Sequence, residues 1–251
     1  MQDKGRKLLI LFLSLVILGC GGYLIWYYTG VYRNQDADEK AQEAKIVQEE
    51  EQPEKQEIDI PIDFESLQKE NPDVYAWIQI PGTVIDYPIV QHETDELYYL
   101  EHAWDGSASS GGAIFTQAYN SKDFTDYNTV IYGHEMGNGT MFNDLHKYMD
   151  DSFWQDHNTV VIYTPEKKLT YQIFAAVVYD DRHLMKSFQF LAPEDRQAFL
   201  DSLDDIKDLR SHIDDSVPVT SDSKLISLST CLGTESHHRY LVEAVLVDEE
   251  G

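Results

Sequence analysis

What most constrains this chain is its punctuation. Short runs rich in Val, Ile, Leu and Tyr fall at 74–80, 84–90, 113–116, 128–132, 160–163, 169–179, 224–230 and 240–247, and most are parted by turn or loop signals rather than by helical periodicity. Pro81-Gly82 is one such signal, since proline presets φ for a turn and glycine accepts positive φ. The stretch from Thr164 to Lys168 reads as another, closing a hairpin. With so little strand–helix–strand alternation, the expected fold is mainly β: a closed or nearly closed barrel of about eight strands with helical insertions.

The insertions have their own signals. A helix is expected within 58–71, where Asp63 can cap it and Asn71-Pro72 ends it. A short helical patch is expected over 96–102 and a longer one over 141–153. A crossover helix is expected over 193–210, with Pro193 in its first turn and Phe199, Leu203, Ile206 and Leu209 at three- and four-residue spacing. The chain has no internal repeat and no glycine-rich phosphate loop.

Ahead of this domain, Lys4, Arg6 and Lys7 precede an apolar run from Leu8 to Tyr28, long enough as a helix to span roughly 30 Å. The flanking bases and the cluster of Trp26, Tyr27, Tyr28 and Tyr32 predict a cytoplasmic N-terminus (1–7), a single transmembrane signal anchor (8–28), an acidic flexible linker (29–57) and an extracytoplasmic domain (58–251). Two other readings export the same domain: Ile17-Leu18-Gly19-Cys20 resembles a lipobox with Cys20 lipidated, and a cleaved signal peptide would begin in the same way. Residues 1–32 hold one of the chain's 45 acids and three of its 19 bases, leaving 44 acids against 16 bases outside the membrane. That balance excludes a basic nucleic-acid footprint and a polybasic lipid patch; it serves solubility.

Only two cysteines occur, and Cys20 lies in the apolar run, so no internal disulfide is expected and Cys231 is left as a free thiol in an exported domain. Cys231 ends the hydroxyl-rich run Ser227-Leu228-Ser229-Thr230, and Arg239 opens the next strand, which places a thiol and a guanidinium on neighbouring strand ends. A nucleophilic cysteine needs an imidazole to form thiolate and carry a proton, and acyl transfer needs positive charge where an oxyanion develops. His134 follows Gly133 at the end of the 128–132 strand and fits that need. His237 and His238, just before Arg239, are its rivals. Two alternatives stand beside this constellation: a hydrolytic cysteine peptidase, against which the order His134 before Cys231 counts, and a non-catalytic binding module with a structural cysteine.

Tyr132-Gly133-His134, Ser229-Thr230-Cys231 and Arg239 resemble the signatures of the sortases, membrane-anchored cysteine transpeptidases of Gram-positive bacteria. The segments from Asn71 to Thr83, Ile85-Asp86-Tyr87-Pro88, Asn128 to His134 and Thr140-Met141-Phe142 are similar to class B members. The resemblance implies an eight-stranded sortase-type barrel with N-terminal helices and a helix in the crossover before the cysteine-bearing strand. It implies cleavage of a C-terminal sorting signal after threonine, a thioacyl intermediate, and transfer to an amine of a peptidoglycan precursor or of a pilin. By the same resemblance Cys231 is the nucleophile, His134 the general acid and then base, and Arg239 the oxyanion partner. Ser229 and Thr230 line the substrate groove, and no metal or organic cofactor is required. Ser227 stands where the family has its first threonine and keeps the hydroxyl. Some class B members carry an acid where this chain has Gly233, so the group that orients His134 is open, with Glu235 as a candidate. The loop 180–192 and the crossover helix are expected to select the sorting motif, and the loop 232–238 to wall the groove where the amine arrives.

Overall fold

The computed structural model describes residues 2–43 and 58–251. Asp63 accepts from the Ser66 amide at 2.9 Å and so starts α2 (Phe64–Glu70). That helix buries Phe64 and Leu67 against Ile62, Val74 and Trp77 on the outside of the first strand. β1 (Val74–Gln79) turns back through Gly82, at φ +84°, into the antiparallel β2 (Asp86–Val90). Here the glycine is required twice over, because a side chain would also meet the His157 ring at 2.2 Å.

The remaining strands are β3 (Ile114–Thr116), β4 (Asn128–Tyr132), β5 (Thr159–Tyr163), β6 (Lys168–Asp180), β7 (His212–Ile213), β8 (Leu225–Cys231) and β9 (His238–Glu250). Pairing runs β5-β1-β2-β3-β4-β8-β9-β6, and β6 pairs with β5 to close the ring. The result is the expected eight-stranded barrel. The two-residue β7 is an addition along β6, too short to leave a signal in the sequence. The parallel pairs are β2–β3 and β4–β8.

Two cores explain why the runs are so evenly apolar. Ile78, Ile131, Ile162, Ile226, Leu228, Tyr240 and Val242 fill the barrel. Val130, Val177, Leu225, Leu241 and Val245 face outward and are covered by Phe188, Phe190 and, from the crossover helix α5 (Pro193–Asp204), Phe199 and Leu203. Strands buried on both faces lose the polar alternation of an exposed sheet.

The helices differ from expectation in length. The 141–153 segment is a 3-10 helix (Phe142–Met149) followed by α3 (Asp151–Asp156), divided at Asp150, whose carboxylate caps α3 through the Ser152 and Phe153 amides. The 96–102 patch is a single 3-10 turn at Tyr98–Leu100. A short α4 (Leu184–Ser187) precedes α5 (Pro193–Asp204), which stops before Ile206 and Leu209; Leu209 is 98% exposed. Asp201 and Asp204 in its last turn oppose the helix dipole, and Lys207, just past the end, donates from Nζ to the Asp204 carbonyl at 2.8 Å.

The N-terminal helix α1 (Gln2–Glu43) continues beyond residue 28 into the segment expected as linker. Ala37 and Ala41 are buried against the barrel, and the Trp104 indole donates to the Ala37 carbonyl at 2.5 Å. Burial beside Asp105 pushes the Asp38 carboxyl up to about 7. The rest of the expected linker, 44–57, lies outside the described residues, as do the side chains of 8–12, 14 and 15 in the expected anchor. Among the described residues, no helix is long and apolar enough to cross a membrane.

Candidate active site

The pairing of β4, β8 and β9 brings three strand ends to one rim. β4 and β8 run parallel with Tyr132 opposite Ser229, and the Gly133 amide donates to the Ser229 carbonyl at 3.2 Å. β8 and β9 run antiparallel with Cys231 directly opposite Arg239. His134, Cys231 and Arg239 therefore line one cavity of about 260 Å³, together with Ser229 and Thr230. Ser229 and Thr230 are buried, and the Thr230 hydroxyl has no hydrogen-bond partner. Cys231 is a free, exposed thiol.

The histidine is oriented by a backbone atom. His134 Nε2 lies 2.8 Å from the Leu100 carbonyl oxygen, and since a carbonyl only accepts, Nε2 carries the hydrogen. Nδ1 is then the ring nitrogen left able to accept a proton. The partner proposed from sequence, Glu235, is elsewhere: it forms a 2.7 Å ion pair with Arg210, which holds its carboxyl below the usual range. Within the loop between Cys231 and Arg239, Glu235 is thus held by Arg210. His237 and His238 are both outside the cavity, near Asp181 and Glu235 respectively at 3.5 Å.

Arg239 uses Nη1 to donate to the His238 and Ser236 carbonyls, at 2.8 and 3.3 Å. This fixes the guanidinium against its own loop and leaves Nη2 and Nε of the fork for an incoming carbonyl oxygen. None of the residues 232–238 lines the cavity; it is lined instead by residues 180–184, at and just past the end of β6, and by Leu97, Leu100 and Gln117. His183 in that wall was not singled out by sequence. Both its ring nitrogens are buried without partners, it packs edge-on to Tyr119, and burial together with Lys186 lowers its pKa. A lone histidine in a loop gives no pattern from which such a placement could be read.

A second groove adjoins the first across His134. It lies between Leu100–His102, Ala108–Ser110 and Trp26, Thr29 and Gly30 of α1. A side chain at position 30 would meet Ser110 Oγ at 2.6 Å, so Gly30 is what lets α1 approach this loop.

Further from the rim, Ser227 has a task of its own. Its hydroxyl accepts from Asn128 Nδ2 at 2.8 Å and donates to Glu243 at 2.7 Å. Glu243 is wholly buried in β9, and that burial raises its carboxyl to about 8. Among the described residues, no group of three or more His, Cys, Asp or Glu is arranged to hold a metal ion.

A family model described as the Sortase domain matches residues 78–247. Sortase B of Listeria monocytogenes is 36% identical over 170 residues, 67% of this chain and 67% of that protein. Sortase B of Staphylococcus aureus is 31% identical over 188 residues, covering 73% and 74% respectively. Among solved structures, sortase B of Clostridium perfringens superposes with a TM-score of 0.66 at 29% identity, over 73% of this chain and 99% of that one. A substrate complex of the Staphylococcus aureus enzyme gives 0.65 at 31%, over 74% and 85%.

Proposed function

Because the chain belongs to the sortase family, within its class B branch, we propose that Cys231 is the nucleophile of a transpeptidase that cleaves a C-terminal sorting signal after threonine. The observation that carries this reading is the convergence of His134, Cys231 and Arg239 on one open cavity from three adjacent strand ends. In the first half-reaction the Cys231 thiolate adds to the threonine carbonyl. The developing oxyanion lies toward the free edge of the Arg239 guanidinium. His134, protonated on Nδ1, gives that proton to the departing amine as the C–N bond breaks, leaving a thioester on Cys231. In the second, an amine adds to the thioester, His134 takes its proton, and the thiolate leaves as the new amide forms. The amine belongs to a peptidoglycan precursor, as in cell-wall anchoring, or to a pilin lysine.

The proposed location is a single-pass anchor at 8–28 with the barrel outside. Two features support it. α1 leaves Ile17, Leu18, Tyr23, Leu24, Ile25 and Trp26 exposed, an apolar surface that water would not favour. The same helix, at Trp26 to Gly30, lies beside His134, which would keep the site near substrates delivered at the membrane.

The test is product analysis. The full-length chain incubated with a sorting-signal peptide should yield a mass adduct on Cys231, then an amide when an amine acceptor is added. Free acid alone, unchanged by the acceptor, would favour the hydrolytic thiol peptidase. No adduct and no cleavage with any peptide would favour the binding module.

A further inference from the structure

The β4–β8 ladder ends at the Gly133–Ser229 hydrogen bond, two residues short of Cys231. Strand pairing therefore does not by itself fix His134 relative to the thiol. Two side chains continue the connection. Glu135 Oε2 accepts from the Gly233 amide at 2.5 Å, tying the residue after His134 to the residue two beyond Cys231. His146 Nε2 donates to the Cys231 carbonyl at 3.0 Å, holding the cysteine's own peptide. The two tethers also meet each other: His146 Nδ1 is 3.7 Å from Glu135 Oε1, within ion-pair reach.

Both tethers spring from one segment that is itself held firmly. The Phe142 amide donates to the His134 carbonyl at 2.9 Å, and Glu135 bridges to Met141. Met141 sits at φ +58°, a costly conformation for a side-chain-bearing residue, and its amide donates to Tyr87 Oη at 3.2 Å. The 3-10 helix that begins at Phe142 then returns His146 to the rim, edge-on to Tyr240 at 5.5 Å. Glu135 and His146 are each about one-fifth exposed, whereas the residues they hold, Gly233 and Cys231, are exposed. On the cysteine side, Gly233 takes φ +53°, which turns its amide without a side-chain penalty.

We propose that Glu135 and His146 are positioning residues that form a clamp setting the distance and direction between the Cys231 thiol and the His134 imidazole. Neither exchanges a proton with substrate. The clamp rests on the transpeptidase reading for its catalytic consequence, and on geometry alone for its effect on the thiol. An ångström of misplacement between reacting groups costs about a hundredfold in rate, so loss of either tether should lower kcat while leaving the walls that bind the sorting peptide unchanged.

The experiment compares Glu135→Ala, His146→Ala, the double variant, Glu135→Gln and His146→Gln in the full-length chain. Each is followed by kcat and KM for a sorting peptide, by the rate of Cys231 modification with a methanethiosulfonate reagent, and by Tm. The expected result is a kcat lowered about tenfold to a hundredfold in each alanine variant with KM within about twofold. The double variant should be no slower than about twofold below the worse single one, because the two act as a unit. Each glutamine variant, which keeps an acceptor or a donor at the same place, should recover most of the loss. Thiol modification should change at least about threefold in the alanine variants. Alanine variants with kcat and thiol reactivity within about twofold of wild type would overturn the clamp. So would losses that follow Tm and are not rescued by glutamine. If the wild type cleaves no sorting peptide, the transpeptidase reading fails, while the thiol measurement still decides the clamp.

Discussion

The middles and the ends of β4, β8 and β9 are built on different principles. In the middle, Leu225 to Thr230 are buried without exception, register with β9 runs unbroken from Leu225–Val245 to Cys231–Arg239, and both faces are packed. At the end, burial changes within one residue: Thr230 is 2% exposed and Cys231 is exposed. Ladder bonds give way to single side-chain-to-backbone contacts, from His134 to Leu100, Arg239 to His238, Glu135 to Gly233 and His146 to Cys231. The interior fixes where the strands lie, and the rim fixes where three functional groups point. Stability and chemistry are thereby separated along one set of strands.

That separation can be broken by mutations at each level. Cys231→Ala, at the rim, should abolish the thioacyl adduct and lower turnover by at least about 10⁴-fold while Tm stays unchanged; a large fall in Tm would show that the end of β8 is structural after all. Phe199→Ala, over the outer core, should cost about 3–5 kcal/mol by denaturant unfolding, with KM for the peptide preserved in the folded fraction. Arg239→Ala should lower kcat about a hundredfold, some 2.7 kcal/mol of transition-state stabilisation, again without a change in Tm.

A pH dependence sharpens the comparison from within. Glu243 has an ordinary value of 4.5 and about 8 when folded, so the native state holds a proton that the unfolded chain releases between those values. Its contribution to stability is therefore present below about 4.5 and is lost as pH rises through about 8, on the order of 1 kcal/mol per pH unit. Glu243→Gln should flatten that slope in urea titrations across the window and leave acidic stability nearly as it was. A slope that persists in the variant would place its origin elsewhere.

How much of this was legible in the sequence follows the same division. Most of the eight strands announce themselves because burial on two faces demands Val, Ile, Leu and Tyr at nearly every position, although β5 and the start of β6 alternate, and Asp63 and Pro81-Gly82 mark a cap and a turn by chemistry that acts within a few residues. His134, Cys231 and Arg239 stand out as reactive residue types at strand ends. The group that orients His134 did not, because it is the Leu100 carbonyl, and every residue has a carbonyl. Glu235 was a reasonable carboxylate in a nearby loop, but Arg210, twenty-five residues upstream, claims it. Glu135 and His146 escaped for a related reason: their partners are backbone atoms of Gly233 and Cys231, nearly a hundred residues away in one case, with no periodicity to betray them.

The parallel pairing of β4 with β8 has a consequence for the order of assembly. Joining them closes a loop of roughly ninety residues, a costly and slow kind of contact compared with a hairpin. β5, β6 and the crossover helix are all synthesised between the two strands. A chain still emerging from its ribosome or translocon thus carries the imidazole long before it carries the thiol, and the thiol arrives with Arg239 still to come. The two groups meet only once the barrel is finished, so under the proposed mechanism completion of the fold would serve as the safety catch on a free thiol that has no disulfide partner to mask it.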